Sequence, residues 1–477
     1  MTTLETLVSI GVHVFALVLL VPLVFARRKE PQSTIAWVLA IIFLPYIGPL
    51  LYLIFGPNRV EQKAGRKRRA NAAIGGHFPE LSPYHHPLGA AGGEADHRDL
   101  MLLASRIGAT RPTWGNRAEI LVDTNRTLAL KERAIREAQE HIHVEYYIFE
   151  PDETGRHMRD LLIEKARQGV KVRFLYDAVG SMGLKRWFLE PMREAGIEVA
   201  RFLPVNVLRR RWVFSLRNHR KILIADGRVG FTGGMNIGDE YLGRNPQLGY
   251  WRDTHVMLHG PAVLQLQQVF GEDWYFATDQ ELTSADLFPP PGEPGDQIAQ
   301  VIAAGPDRDV EVMHEIYFTA ISTARERVLL QTSYFVPTEA IRIALQTAAR
   351  RGIEVKLLLP ARSAHVVCLL AAQSYYDELL ASGVEIYEYT RGLLHSKTLT
   401  IDGLWSSVGS ANMDTRSLRL NFEVGVIFYG RRIAQQLEAI FATDLENSRR
   451  LDFDRWKGRS LARRVSENTC RLLSPIL

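Results

Sequence analysis

The sequence predicts an α/β protein made of two similar lobes that follow an N-terminal hairpin of two hydrophobic spans. The segment "NHRKILIADG" at 218–227 returns as "LHSKTLTIDG" at 394–403, so one ten-residue pattern occurs twice. Strand-like and helix-like segments alternate before each copy, which indicates an α/β layout repeated along the chain. Two apolar stretches without charged residues come first, at 7–26 and 35–55.

The composition is that of a globular protein with more than one domain. The chain has 477 residues, of which 46% are hydrophobic and 23% charged, and this excludes a disordered protein. The net charge is only +5, yet residues 59–69 alone hold six Lys/Arg and one Glu. Cys368 and Cys470 occur in no Cys-x-x-Cys or Cys/His spacing, so we expect free thiols and neither a disulfide framework nor a zinc site.

The N-terminal region, residues 1–58, is expected to be a membrane hairpin. Residues 7–26 and 35–55 are each long enough to cross a hydrocarbon core of about 30 Å as a helix. A signal peptide is the rival interpretation, but no basic residues precede the first run and a second run follows it. Six basic residues follow the second span and three lie between the spans, which predicts that the lobes face the cytoplasm. The second span contains Pro45, Gly48 and Pro49, which predict a kink or a re-entrant segment.

Residues 59–115 form a basic segment and a linker. The stretch 70–98 is rich in Gly, Ala and Pro, which is typical of a loosely ordered arm. His85 and His86 lie in it, and adjacent loop histidines are more often solvated than metal ligands.

The first lobe, residues 116–283, and the second lobe, residues 298–477, carry the same order of elements. The first has strand patterns at 141–149, 169–177 and 196–203 and a helical pattern at 157–168. The second has strand patterns at 327–337, 352–360 and 383–389 and a helical pattern at 339–351. A proline cluster at 284–297 predicts the linker between them.

The approach to the first repeated segment is longer than the approach to the second. It carries an additional basic and aromatic loop with Arg209, Arg210, Arg211, Trp212 and Phe214. This loop is either a solvated surface loop or one that contacts anionic lipid headgroups.

The repeated segment places a histidine and a lysine two residues apart, so that both side chains lie on one face of a strand. The Asp-Gly pair that follows predicts a tight turn and a returning strand. The returning strands end in small residues and an asparagine, at 233–236 and 409–412. Lysine and asparagine can hold phosphoryl oxygens while histidine transfers protons near neutral pH, so each half suits a phosphodiester.

The two segments resemble the duplicated His-x-Lys-x4-Asp motif of the phospholipase D superfamily, over about residues 116–460. Within it the chain is similar to the bacterial cardiolipin synthase family. The segments that carry this resemblance are "FLPYIGPLLYLIFGPNR", "GFTGGMNIGDEY", "YWRDTHV" and "SANMDTRSLRLNFEVG".

The resemblance implies two phospholipase-D-like lobes packed with pseudo-twofold symmetry around one site, with no metal or other cofactor. It implies His219 as the nucleophile that forms a phosphohistidine and His395 as the acid and base, although the two segments are nearly symmetric. The motif residues it assigns to catalysis are His219, Lys221, Asp226, His395, Lys397 and Asp402. Asp226 and Asp402 are expected to brace the turns. The residues expected to bind the phosphoryl group are Asn236, Asn412, Gly234 and Ser410.

Two carboxylates are expected to support the histidines. By the family pattern they are Asp253 and Glu423, and the alternative is that both are ordinary surface or strand-end carboxylates. Gly234 stands where the second half has Ser410, so the site is not chemically symmetric.

The implied reaction is phosphatidyl transfer between two phosphatidylglycerol molecules at the bacterial inner membrane, giving cardiolipin and glycerol. Hydrolysis, or transfer to another acceptor, stays open because the motif is shared. A nuclease is disfavoured by the modest net charge and the hydrophobic spans, so no nucleic acid partner is expected. A non-catalytic membrane scaffold is the remaining alternative. The basic C-terminal segment from Arg455 either lies on an anionic leaflet or is an ordinary helix.

Overall fold

A computed structural model describes residues 3–26, 31–55, 58–87, 98–204, 216–363, 365–472 and 474. The loop at 205–215, which holds the Arg-rich insertion predicted to be solvated or lipid-facing, lies outside the described residues. The chain divides into two compact units, residues 1–63 and residues 64–477.

The first unit is helical. Its helices are α1 (Thr3–Phe25), α2 (Pro31–Phe43) and α3 (Ile47–Phe55), and α4 (Asn58–Ile74) begins in it. Leu20, Val24, Ile41 and Tyr52 form its buried core. Among the described residues, no helix is both long enough and apolar enough to span a bilayer.

The stretch 35–55 is two helices rather than one. It is interrupted between Phe43 and Ile47, where Tyr46 has φ of 70°. Pro45 disfavours the helical conformation of the residue before it, and the left-handed Tyr46 redirects the chain. The interruption therefore lies at the proline that predicted a kink.

The segment after residue 58 is more ordered than the linker composition suggests. Helix α4 continues to Ile74 and is followed by short 3₁₀ turns at Gly75–His77 and Ser82–Tyr84. Phe78 packs edge-on against Phe288 with ring centroids 5.8 Å apart, and His85 bridges to Thr113. Residues 75–87 are thus fixed to the first lobe, while 88–97 lie outside the described residues.

The first lobe has strands and helices in the predicted order. After α5 (Arg98–Ile107) they are β1 (Thr113–Leu121), α6 (Thr124–Glu137), β2 (His141–Tyr146), α7 (Glu153–Arg167), β3 (Lys171–Asp177), α8 (Arg186–Glu194), β4 (Glu198–Phe202), β5 (Lys221–Ala225), β6 (Val229–Gly233), β7 (Trp251–Arg252), β8 (His255–His259) and α9 (Pro261–Thr278). Helices α6 and α7 begin where Asp123 and Asp152 accept hydrogen bonds from the first-turn amides of Arg126 and Gly155.

The second lobe repeats this order with a few additional short elements. They are β9 (Gln297–Ala304), α10 (Val312–Thr323), β10 (Arg327–Gln331), β11 (Phe335–Val336), α11 (Glu339–Arg350), β12 (Glu354–Pro360), α12 (Val366–Gln373), α13 (Tyr376–Leu380), β13 (Glu385–Tyr389), β14 (Leu393–Leu394), β15 (Thr398–Ile401), β16 (Trp405–Gly409), β17 (Met413–Asp414), α14 (Thr415–Arg419), β18 (Glu423–Tyr429), α15 (Arg431–Glu446), β19 (Ser448–Arg450), α16 (Phe453–Lys457) and α17 (Leu461–Arg471).

One mixed sheet of 15 strands runs through both lobes, in the order β19-β13-β12-β10-β15-β16-β18-β9-β1-β8-β6-β5-β2-β3-β4. Strands β1 and β9 pair antiparallel at its centre, and the order on one side mirrors the order on the other apart from β19. The predicted α/β class and the duplication are therefore both present. The repeated segments become equivalent hairpins, β5–β6 and β15–β16.

The C-terminal segment forms helix α17 with one face against the second lobe. Glu467 is buried and pairs with Arg459 at 2.9 Å, while Arg459 also binds Asp377 at 2.7 Å. Leu461 and Val465 are 74% and 56% exposed. The segment is thus a docked helix whose exposed side carries Leu461 and Val465 among polar and basic residues.

Candidate active site

Each repeated segment is bound to a chain segment of the other lobe. Asn218 bridges in parallel to Phe422, and the His219 amide donates to the Phe422 carbonyl at 2.9 Å. In the other half, β14 pairs in parallel with β7, and the His395 amide donates to the Arg252 carbonyl at 2.7 Å. The residues that follow Phe422 and Arg252 are Glu423 and Asp253, so the backbone brings each histidine to a carboxylate of the opposite lobe.

The two histidine–carboxylate pairs are crosswise, which means that each histidine pairs with a carboxylate of the opposite lobe. Nδ1 of His219 lies 2.9 Å from Oε2 of Glu423, and Nδ1 of His395 lies 2.7 Å from Oδ2 of Asp253. An ionised carboxylate can only accept, so Nδ1 of each ring carries the proton and Nε2 keeps its lone pair. Each imidazole is thereby held in the tautomer that a nucleophile or base requires.

Burial sets the charge of these pairs. Desolvation lowers the pKa of His219 to about 4 although Glu423 opposes the shift, and desolvation with the Lys397 charge lowers the pKa of His395 to about 4. Burial alone would raise the pKa of Glu423, but His219 and Lys221 bring it down to about 2. At neutral pH the site therefore holds neutral imidazoles against ionised carboxylates.

Lys221 and Lys397 are buried next to the histidines. Nζ of Lys221 donates to the His219 carbonyl at 2.5 Å, and Nζ of Lys397 donates to the Ser333 hydroxyl at 2.5 Å and to the His395 carbonyl. Burial lowers the pKa of Lys221 to about 7 and that of Lys397 to about 8. A bound anion would raise both pKa values, so the two lysines become more fully protonated when a phosphate group is bound.

A cavity of about 390 Å³ lies between the lobes, and both histidines line it. Tyr147 packs on the His219 ring with centroids 4.8 Å apart, and Trp251 packs on the His395 ring at 5.1 Å. Asn236 and Asn412 also line the cavity. Both histidines thus line one cavity, each with a lone pair on Nε2, which suits a double displacement at a single phosphorus.

Comparison with known proteins gives the family. A family model described as "Cardiolipin synthase, PLD-like domain" matches residues 132–274 and 317–445. The chain is 41% identical over 458 residues to the cardiolipin synthase of Geobacillus kaustophilus, a match that covers 94% of this chain and 90% of that relative. The chain belongs to the cardiolipin synthase family of phospholipase D-type enzymes.

Other relatives agree, and the resemblance inferred from the motifs is confirmed. The cardiolipin synthase of Halalkalibacterium halodurans is 38% identical over 462 residues, covering 95% of this chain and 91% of the relative. A model described as "Phospholipase_D-nuclease N-terminal" matches residues 14–57. The crystal structure of a phosphatidylserine synthase from Haemophilus influenzae aligns with a TM-score of 0.60 at 13% identity, covering 80% of this chain and 100% of that one, and supports the shared fold.

Asp226 and Asp402, the last residues of the family motif, lie in the hairpin turns and not in the cavity lining. Asp226 has φ of 54°, and its carboxylate accepts hydrogen bonds of 2.8–2.9 Å from the amides of residues 139, 140 and 141. Asp402 has φ of 53° and accepts equivalent bonds from the amides of residues 325, 326 and 327. These contacts tie each hairpin to the start of its neighbouring strand, β2 or β10.

Gly234 and Ser410 contact the supporting carboxylates instead of lining the cavity. The Ser410 hydroxyl donates to Glu423, and the Gly234 and Ser410 amides donate to the carbonyls of Thr254 and Val424. A Cβ at position 234 would lie 2.0 Å from Oδ1 of Asp253. These contacts do not support the predicted role in phosphoryl binding: the serine fixes Glu423, and the glycine makes room for Asp253.

Asn236 and Asn412 line the cavity, one from each half of the site. Oδ1 of Asn236 accepts the Ile148 amide at 3.3 Å, and the Asn236 side chain also bonds to Tyr241. Oδ1 of Asn412 is buried without a hydrogen-bond partner among the described residues. A ligand hydroxyl would supply the missing donor.

A buried charge network behind His219 escaped the sequence reasoning. Arg220 binds Asp273, its Nε donates to the Glu423 carbonyl at 3.1 Å, and Lys67 of helix α4 reaches Asp273 at 2.7 Å and Asp307 at 3.7 Å. Burial would raise the pKa of Asp273, but Arg220 and Lys67 hold it well below its ordinary value.

The charges in this network balance. Glu145 lies beside Asp273 and donates a hydrogen bond to it, and burial and Asp273 raise the pKa of Glu145 well above its ordinary value. Two cations, Arg220 and Lys67, therefore face two ionised carboxylates, Asp273 and Asp307. The only sequence signal for Lys67 is its place in a basic run, which is more typical of a solvated surface.

Cys368 and Cys470 are free thiols, as predicted. Cys368 lines the cavity, and burial raises the pKa of its thiol to about 11. Within the described residues there is no group of three or more His, Cys, Asp or Glu that could hold a metal ion.

Proposed function

We propose that this protein is a cardiolipin synthase that transfers a phosphatidyl group from one phosphatidylglycerol to another, releasing glycerol. The observation that carries the proposal is the crosswise pairing of His219 with Glu423 and of His395 with Asp253 at one cavity. Two tautomer-fixed imidazoles at one phosphate are what a two-step transfer needs, whereas a binding scaffold needs neither.

In the first step, Nε2 of His219 attacks phosphorus and the bond from phosphorus to the glycerol oxygen breaks. His395 gives its Nε2 proton to that oxygen, so glycerol leaves neutral and a phosphatidyl-histidine remains. The free His395 has a low pKa, and the charges of the bound phosphodiester and of Asp253 favour its protonation in the complex. Lys221 and Lys397 offset the charge that develops on the phosphoryl oxygens.

In the second step, a hydroxyl of the second phosphatidylglycerol loses its proton to Nε2 of His395 and attacks phosphorus. The bond from phosphorus to His219 breaks, cardiolipin forms, and His395 holds the proton needed for the next cycle. The assignment of His219 as the nucleophile follows the family resemblance, because the two pairs are nearly equivalent in geometry.

The lipid substrates predict a membrane location for the enzyme. Residues 7–26 and 35–55 associate with the bacterial inner membrane in this proposal, and the lobes lie on the cytoplasmic side as the basic residues at 59–69 indicate. The large exposure of apolar side chains in the first unit supports it, with Phe15, Val18 and Phe43 at 67%, 70% and 72%. Extraction of membranes with alkaline carbonate tests the location: recovery of the full chain in the soluble fraction would contradict it.

The reaction is tested with purified full-length protein and phosphatidylglycerol labelled in its headgroup glycerol and in its acyl chains. We expect free labelled glycerol and cardiolipin in equal molar amounts. Phosphatidic acid as the sole lipid product would establish a hydrolase instead, and a shift of short DNA duplexes in a gel would favour the nuclease alternative. The His219→Ala variant should fold and release no glycerol, and wild-type release by it would refute the catalytic assignment.

A further inference from the structure

The cavity is electrically asymmetric although its two halves are related by pseudo-twofold symmetry. Two residues before His219 stands Arg217, and two residues before His395 stands Leu393. Four residues after Asn412 stands Arg416, and four residues after Asn236 stands Glu240. All four residues line the cavity. Arg217 and Arg416 therefore bring two positive charges to the cavity. The equivalent positions, Leu393 and Glu240, bring one uncharged side chain and one negative charge.

Arg217 is a fixed part of the wall. It is 9% exposed, its Nη1 donates to the Leu216 carbonyl at 2.5 Å, and its side chain also bonds to Tyr147, the residue that packs on the His219 ring. The charge of Asp177 acts on Arg217 and opposes the effect of burial on its pKa.

Arg416 comes from the other lobe and lines the same cavity as Arg217. It is half-buried on the short helix α14. Both arginines line the cavity, and burial together with the charge of Arg416 lowers the pKa of Arg217 below its ordinary value. Two like charges at one wall of a partly enclosed cavity are stabilised by an anion placed between them.

The proposed reaction brings two phosphodiesters into this one cavity. The donor phosphodiester is the reacting group, and it lies at the histidines, the buried lysines and the asparagines. The acceptor carries a second phosphodiester, which stays intact and negatively charged on the far side of its glycerol. Water or a small alcohol brings no second anion, so a hydrolase has no use for a second cationic wall.

We propose that Arg217 and Arg416 bind the phosphodiester of the acceptor lipid and thereby select an anionic phospholipid over water and neutral alcohols. This inference rests on the proposed transfer reaction. Guanidinium groups suit the task because they present paired N–H donors in the geometry of phosphate oxygens. Arg217 and Arg416 thus belong to acceptor binding, and they act after the phosphatidyl-histidine has formed.

The test is a competition between acceptors in the full-length enzyme. Labelled phosphatidylglycerol in mixed micelles is the donor, and ethanol is added as a neutral acceptor, so that cardiolipin, phosphatidylethanol and phosphatidic acid are measured together. We expect Arg416→Gln to lower the ratio of cardiolipin to phosphatidylethanol by about tenfold or more, because charged hydrogen bonds to the acceptor are lost. Arg416→Lys, which keeps the charge and loses the paired donors, should give an intermediate ratio.

The matched control is Arg133→Gln, which removes an exposed arginine that pairs with Glu137 on helix α6. It should keep the wild-type ratio. An unchanged ratio in Arg416→Gln, or an equal fall of cardiolipin and phosphatidylethanol, would overturn the subsite, because either result means that Arg416 does not distinguish acceptors. A wild-type enzyme that makes phosphatidylethanol and phosphatidic acid but no cardiolipin would instead overturn the proposed function.

Discussion

Replacing Glu423 with glutamine tests whether the crosswise carboxylate fixes the tautomer of His219. Three donors converge on this carboxylate: His219 at 2.9 Å and the Ser410 hydroxyl on Oε2, and the Asn421 amide group at 3.2 Å on Oε1. Glutamine has one oxygen and one NH₂ group and cannot accept on both sides.

Either orientation of the glutamine amide is unfavourable. If its oxygen faces His219, its NH₂ group meets the Asn421 NH₂ group, and the unmatched donors cost about 1–3 kcal/mol. If its NH₂ group faces His219, the ring must accept at Nδ1 and carry its proton at Nε2, which removes the lone pair that attacks phosphorus. Both orientations also lose the negative charge that stabilises the cationic phosphohistidine.

We expect the turnover number to fall by about 10³–10⁴-fold, as for an amide in place of the carboxylate of a Ser-His-Asp triad. At about 1.4 kcal/mol for each factor of ten, this is a loss of about 4–5.5 kcal/mol of transition-state stabilisation. The assay is the initial rate of labelled glycerol release from phosphatidylglycerol micelles, with thermal unfolding to confirm that the variant is folded.

Glu137→Gln is the control, because Glu137 is exposed and pairs with Arg133 on the surface of helix α6. It should release glycerol at the wild-type rate. A folded Glu423→Gln variant within about threefold of the wild-type rate would refute the tautomer argument and with it the role of the crosswise pairs.

Three further outcomes follow from the same contacts. Asp226→Asn weakens three charged hydrogen bonds to backbone amides and should lower the free energy of unfolding by about 2–3 kcal/mol, seen in urea titrations, while the folded variant still releases glycerol. Lys67→Met leaves Asp273 and Asp307 short of one cation and should cost about 3–5 kcal/mol; a change in the urea midpoint no larger than that of an exposed lysine variant would contradict the buried network. His219 and His395 have pKa values of about 4 in the folded state against about 6.5 when unfolded, so the unfolded state binds more protons between those values. Stability should therefore fall as pH drops from 6.5 toward 4, by up to about 1.4 kcal/mol per pH unit for each histidine, and a urea midpoint equal at pH 7 and pH 5 would argue against their burial as neutral rings.

The sequence predicts those parts of the site that depend on local spacing. His219 and Lys221 two residues apart on a strand, and the turn at Asp226, follow from the period of a strand and from turn chemistry. The break near Pro45 follows from the restriction that proline places on the residue before it. These features can be predicted without knowing which side chains pack against them.

Other parts of the site depend on contacts far apart in the chain. Asp253 and Glu423 could be named as supporting carboxylates from the sequence. That each pairs with the histidine of the other lobe depends on the pairing of β7 with β14 and on the bridge between Asn218 and Phe422. The direction of the Ser410 hydroxyl could not be inferred because the same serine fits a phosphate site or a bond to Glu423. The burial of Lys67 could not be predicted from the basic residues around it in the sequence. It is stabilised by Asp273 and Asp307, which are more than 200 residues away along the chain.

Lys67 also has a consequence for where a shortened version of this enzyme can start. A fragment that begins at residue 116, the predicted start of the first lobe, would lack Lys67 and leave the buried carboxylates of Asp273 and Asp307 facing Arg220. The Nε atom of Arg220 donates to the Glu423 carbonyl. Loss of the Lys67 charge would therefore disturb the residue that positions the backbone of Glu423. Helix α4 supports the catalytic pair through Lys67, and a shortened catalytic fragment should therefore keep the whole helix.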